Sequence, residues 1–217
     1  THLGAADGFE VMDSLGKEWK TMEITFKLYP VCHMTHSFAD CMFRARNEEH
    51  LTVEDIGSVE CRIEDRCYHI VCEPDEAKKF PATDYMMRFS LPYVAAVSFV
   101  KGKLGPREID LRLVKDSRIR EMMDKIHCVR DDSKKNPGYF PGWVRITCRD
   151  GREIVLAQRY EKGTAQNPVD LDAVMMKFSN NMEIHYPEDR ISKIASVIQN
   201  LEQQENPAEL LDMLVCR

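Results

Sequence analysis

The stretch KLYPVCHMTHSFADC, Lys27 to Cys41, holds one lysine, two cysteines, two histidines and an aspartate. Side chains of these types can hold an anion, ligate a metal or move a proton. His33, His36 and Asp40 lie at helical spacing, and two histidines with a carboxylate can bind a divalent cation. The histidines stand three apart rather than the usual four, and no distant ligand is pinned by spacing, so a solvated polar helix face fits the pattern better. Lys27 ends a run with one apolar face, just before Pro30 and a helix start. Unpaired N–H groups at a helix start attract anions. A lysine beside them would pair with a carboxylate or, once desolvated, give up its proton and act as a base; an exposed lysine at a strand end is the simpler reading. Tyr93 falls in the first turn of an apolar helix, preceded by Arg88 and Ser90. Its phenol could donate to an oxyanion or a leaving group, or simply pack in the core with its hydroxyl satisfied. Cys61, Cys67, Cys72 and His69 have spacings poor for zinc, and their alternation with Ile63, Ile70 and Val71 favours core thiols.

These residues need elements to position them. Met22, Ile24, Phe26 and Leu28 alternate, which predicts a strand over Lys20 to Tyr29, ended by Pro30. Phe38, Cys41, Met42 and Ala45 then recur with helical period, which puts His36, Asp40 and Arg44 on the opposite, polar face. SVECRIED alternates as a strand, CYHIVCEP fits a strand or a helical turn, and DEAKKFPATD reads as a polar loop. Ser90 as N-cap, Pro92 in the first turn and Gly102 at the end frame a buried helix. Ile119, Met122, Met123 and Ile126 share one helical face. GWVRITCRDGREIVLAQRY predicts a hairpin turning at Asp150-Gly151 as type I′. Two apolar stripes follow, Leu171, Val174, Met175 and Phe178, then Ile191, Ile194, Ala195, Ile198 and Leu201. A last helix opens with Asn206 as N-cap and Pro207 at N1.

The mixed order gives an α+β class, and no βαβ series with a glycine-rich loop is present. With 217 residues, 43% apolar and 30% charged, the chain can bury a real core. A net charge of −6 with scattered basic residues argues against a nucleic-acid surface. No apolar run is long enough to span a membrane, and no signal peptide is legible. Eight cysteines without a C-x-x-C pair point to free thiols and a reducing, cytoplasmic setting. G-x-S-x-G, Walker, G-x-G-x-x-G and H-E-x-x-H motifs are absent.

Taken together, four segments resemble the MmgE/PrpD family. KLYPVCHMTHSFAD is similar to its K-x-Y-P-C-C-x-x-T-H-x-x-x-D element, and FPATDYMMRFSLPYVAAVSFVKGKLG to its FSlpY helix. CRDGREI and KGTAQNPVDLDAVMMKFSNNM resemble its hairpin and its kG-x-x-x-NP segment. The resemblance implies a small α+β lid over residues 1–165, followed by C-terminal helices over 166–217 that belong to an all-helical domain lying mostly outside this sequence. It implies a cytoplasmic, homodimeric lyase that uses no metal or organic cofactor. The substrate would be a small polycarboxylate such as 2-methylcitrate, dehydrated in a cleft shared with the N-terminal helical domain. Epimerisation, decarboxylation of cis-aconitate or a non-catalytic binding role are the alternatives. By resemblance Lys27 holds a substrate carboxylate or shares in proton transfer, Tyr93 donates a proton or orients, and His36 supports the helix start or touches substrate. Arg88, Cys32 and His33 complete the implied set on the substrate side. Some decarboxylases of the family carry histidine where this chain has Cys32, which makes dehydration the expected reaction.

Overall fold

The computed structural model describes residues 12–131 and 138–215. Helix α1 (His36–Asn47) leads into strand β1 (Ile56–Glu64), then helices α2 (Asp65–Val71), α3 (Asp75–Lys79), α4 (Asp84–Arg88), α5 (Leu91–Lys101) and α6 (Ser117–Asp124). Strand β2 (Ile126–Asp131), the hairpin of β3 (Gly142–Cys148) and β4 (Glu153–Gln158), and helices α7 (Leu171–Met182), α8 (Glu188–Gln199) and α9 (Glu209–Met213) follow. This is an α+β fold with a helical C-terminal stretch. Among the described residues no helix is long and apolar enough to cross a membrane.

The sheet runs β2-β1-β3-β4. β1 and β2 are parallel, which requires the long helical connection that joins them; β1–β3 and β3–β4 are antiparallel. Alternation sets its two faces. Val59, Cys61, Ile63, Val144, Ile146 and Leu156 point inward and are buried. On the outer face the Arg62 guanidinium stacks 4.6 Å above the Trp143 ring. The inner face carries α1, α5 and α6. α5 is the centre of the core: Leu91 to Phe99 are all buried, and Ser90 Oγ caps it by accepting the Tyr93 N–H at 3.1 Å. α6 buries Ile119, Met122 and Met123, the stripe the sequence predicts.

Several expectations need correction. Residues 20–29 form no strand: Lys20–Glu23 is a single 3-10 turn, and Met22, Ile24 and Phe26 are exposed. The alternation is real, but no sheet edge receives it. CYHIVCEP resolves as α2, and DEAKK of the expected loop is α3. The hairpin turn is not type I′. Only Gly151 has positive φ, at 89°, and Gly151 N–H bonds to Cys148 O while Cys148 N–H bonds to Arg152 O. That is a three-residue loop closed by a left-handed glycine. The α7 stripe is not a buried one: no residue of α7 is buried and Leu171 is exposed. α8 buries Ile191, Ile194 and Ala195, but Ile198 and Leu201 are exposed. α9 opens at Glu209, with Asn206 Oδ1 accepting the Ala208 N–H at 3.2 Å. Seven cysteines are free thiols; Cys216 lies outside the described residues.

Candidate active site

Proline at position 30 stops the extended N-terminal segment and turns the chain toward α1. Two bonds staple this turn to the end of α4: Arg88 Nη1 donates to Pro30 O at 2.5 Å, and Cys32 N–H donates to Arg88 O at 2.8 Å. Cys32 O then accepts both the Thr35 hydroxyl, at 2.7 Å, and the Thr35 N–H, at 3.0 Å. The resulting 3-10 turn, His33–Thr35, delivers His33 and His36 to one corner at the start of α1.

The corner is closed from across the chain. Ser37 Oγ donates to Phe140 O at 2.6 Å, a contact 103 residues apart in sequence. Phe140 N–H donates to the buried Glu161 carboxylate at 3.0 Å. The His33 and His36 rings meet edge to face with centroids 4.7 Å apart. Tyr29 lies 5.0 Å from His36 on the other side, and its hydroxyl donates to Asp40 Oδ1 at 2.7 Å. Lys162 Nζ stands 3.3 Å from the same oxygen. Lys27 is exposed and its ammonium donates to Val31 O at 3.3 Å.

His36 and Asp40 are each only 1% exposed, so the polar face predicted for α1 is not solvated. α1 is enclosed on two sides, by α5 and by β3 and β4. Burial without full pairing leaves a mark. His33 Nε2, His36 Nε2 and Asp40 Oδ2 are buried and have no hydrogen-bond partner, and they sit within eight residues of one another. A buried polar atom without a partner costs about 1–3 kcal/mol, so a cluster of three calls for an explanation. Titration follows the same cause. Burial, then the neighbouring His33, push His36 down to about 3, so it is a neutral imidazole at physiological pH. Its other ring nitrogen is hydrogen-bonded to backbone at Val31 and Tyr29, which leaves Nε2 as a bare acceptor. Burial also lowers His33, against the pull of Glu161, and raises Asp40, against Tyr29 and Lys162. The Cys32 thiol is raised by burial too. The corner therefore offers neutral imidazoles and cationic lysines, a combination that can accept a proton and hold a carboxylate.

Of the residues the sequence singles out, Lys27, Cys32, His33 and His36 come together here. Arg88 adjoins them, but its guanidinium is engaged with the Pro30 carbonyl. Tyr93 is placed otherwise: it is fully buried in α5 and its hydroxyl donates to Glu108 O at 2.5 Å. Burial raises its phenol well above the usual range. Sequence reasoning assigned no role to Tyr29, Glu161 or Lys162. Tyr29 and Lys162 both fall inside the K-x-Y-P and kG segments, which was the available signal. Among the described residues, no group of three or more His, Cys, Asp or Glu could hold a metal ion.

Comparison with known proteins places the chain in a family. The chain is 24% identical over 203 residues to cis-aconitate decarboxylase of Mus musculus, covering 88% of this chain and 39% of that protein. It is 22% identical over 213 residues to the cis-aconitate decarboxylase-like protein oryM of Aspergillus oryzae, covering 94% of this chain and 43% of that one. The chain thus spans about two fifths of the length of these relatives. The description of the MmgE/PrpD C-terminal domain matches residues 29–203, which takes in the Tyr29–His36 turn, α1, the sheet and Lys162. On that match, the chain belongs to the MmgE/PrpD family.

Proposed function

We propose that this chain supplies one wall of the active site of a lyase that acts on a small polycarboxylate by moving a proton next to a carboxylate, and that the reaction is dehydration of a hydroxy acid of the 2-methylcitrate type. In that reaction the C–H bond beside a carboxylate breaks and its proton passes to a protein base. The electron pair becomes the new C=C bond, and the hydroxyl leaves with a proton as water. Lys27 holds a substrate carboxylate, and the half-buried imidazole of His33 is the base, neutral because burial holds its pKa down. Each preorganised group that stabilises the developing charge is worth about 3 kcal/mol, and a positioned base adds roughly a hundred- to ten-thousand-fold.

The observation that carries the reading is the triplet of unpartnered buried atoms, His33 Nε2, His36 Nε2 and Asp40 Oδ2. A bare acceptor at His36 suits a substrate that presents a hydroxyl. Decarboxylation of cis-aconitate is the second reading, favoured by the names of the two relatives. The test is the full-length protein assayed on 2-methylcitrate and on cis-aconitate, following alkene absorbance and evolved CO₂, with Lys27→Ala and His33→Gln beside the wild type. Alkene formation from 2-methylcitrate, lost in both variants, is the expected result. CO₂ from cis-aconitate alone would replace the first reading with the second, and turnover unaffected by either variant would reject the residue assignment.

A further inference from the structure

We propose that Lys162 is a second carboxylate anchor of this corner, taking a carboxylate that Lys27 does not reach; the proposal rests on reading the corner as a polycarboxylate site. A substrate with two or three carboxylates is poorly served by one cation. Arg88 is tied by Nη1 to the Pro30 carbonyl and serves first to hold the turn. Lys162 can supply the second. Its side chain is 46% exposed, while the Asp40 carboxylate that its ammonium approaches at 3.3 Å is fully buried. The lysine thus spans from the open side of the corner to its floor. One of its three N–H donors faces Asp40 Oδ1, and two remain for a ligand. The neighbouring Glu161 carboxylate is turned to the Phe140 N–H.

The loop that carries Lys162 is fixed by backbone contacts. Gly163 has φ of 91°, its N–H bonds to Asn167 O at 2.9 Å, and its carbonyl accepts the Phe26 N–H at 2.9 Å. A Cβ on Gly163 would lie 2.4 Å from Phe26 O, so only glycine allows the approach. Lys162 precedes one partner of the Phe26–Gly163 bond and Lys27 follows the other. Two cations from distant parts of the sequence are thereby held on either side of the same hydrogen bond, Lys162 against Asp40 and Lys27 against the Val31 carbonyl.

The test measures binding of tricarballylate, glutarate and butyrate, with three, two and one carboxylates, to the full-length protein. Wild type is compared with Lys162→Met, Lys162→Arg and the double variant Lys162→Met/Asp40→Asn, which avoids stranding a buried carboxylate. Loss of a charged contact is expected to weaken tricarballylate and glutarate by about tenfold or more in both Met variants, with butyrate within about twofold and the Arg variant close to wild type. Equal affinity in wild type and Met variants overturns the anchor while leaving the site reading intact. Equal loss for all three acids also overturns it, as the mark of a merely structural lysine. A wild-type protein that binds none of the three acids overturns the polycarboxylate reading itself, and the anchor with it.

Discussion

Replacing Tyr93 by Phe separates two roles for this residue. The resemblance gives its phenol a part in the chemistry, whereas the structure gives it a bolt: the hydroxyl reaches from the first turn of the core helix to the carbonyl of Glu108 at 2.5 Å. Glu108 is itself buried, and its carboxylate accepts the Gly105 N–H at 2.8 Å, so the Tyr93 hydroxyl ties the Pro106–Glu108 turn to α5. Tyr93→Phe keeps the ring and its packing but strands a buried carbonyl, at a cost of about 1–3 kcal/mol. For a chain of this size that lowers the melting temperature by roughly 2–12 °C. A general acid removed from the reaction would instead lower kcat by about a hundred- to ten-thousand-fold. The expected outcome in paired melting and turnover assays is a clear loss of stability with kcat within about threefold of wild type. Unchanged melting with a hundredfold fall in turnover would refute this, and would mean that the hydroxyl leaves Glu108 in the working enzyme.

His36 predicts a pH dependence of stability. Its folded pKa, about 3, lies below the ordinary value of 6.5, so between those values the unfolded chain holds the extra proton and stability falls as pH drops. At pH 5 the loss is on the order of 2 kcal/mol relative to pH 7.5; denaturant midpoints across this range should flatten in His36→Asn, and an unchanged slope would show that His36 is not the titrating group. Gly163→Ala should cost about 1–3 kcal/mol and depress turnover, because the new Cβ displaces the Phe26 backbone; wild-type turnover would show that the clamp does not shape the site. Arg88→Ala should lower stability by about 1.5–3 kcal/mol and raise KM, with Arg88→Lys intermediate. A large fall in kcat at unchanged stability would instead place Arg88 in contact with substrate.

Much of the scaffold is written locally. Ser90, Pro92 and Gly102 bracket α5, and the Asp150-Gly151 dipeptide locates the hairpin, because caps and turn residues act within a few positions. What failed depends on distant partners. Met22 to Leu28 alternates as a strand would, yet strand formation needs a neighbouring edge, and local pattern cannot supply one. His36 and Asp40 have the spacing of a solvated face, and only the arrival of Phe140 and β4 encloses them. Lys162 is an unremarkable charge until Gly163 brings it to Phe26. The residues Lys27 to His36 were legible as chemistry because one short turn holds them; Phe140, Glu161 and Lys162, which close the corner, arrive from more than a hundred residues away.

The bond between Phe26 and Gly163 also orders events in time. It joins segments more than a hundred residues apart in sequence, and closing so long a loop costs entropy that local helices do not incur. The segment leading to it, from Trp19 to Phe26, is largely exposed and adds little apolar burial to offset that cost. The core of α5, α6 and the sheet can therefore form first, with the candidate corner completed late and opened early. In amide exchange, the Phe26 N–H should trade its hydrogen faster than those of β1 or α5. Heat or denaturant should then open this corner before the rest of the fold is lost.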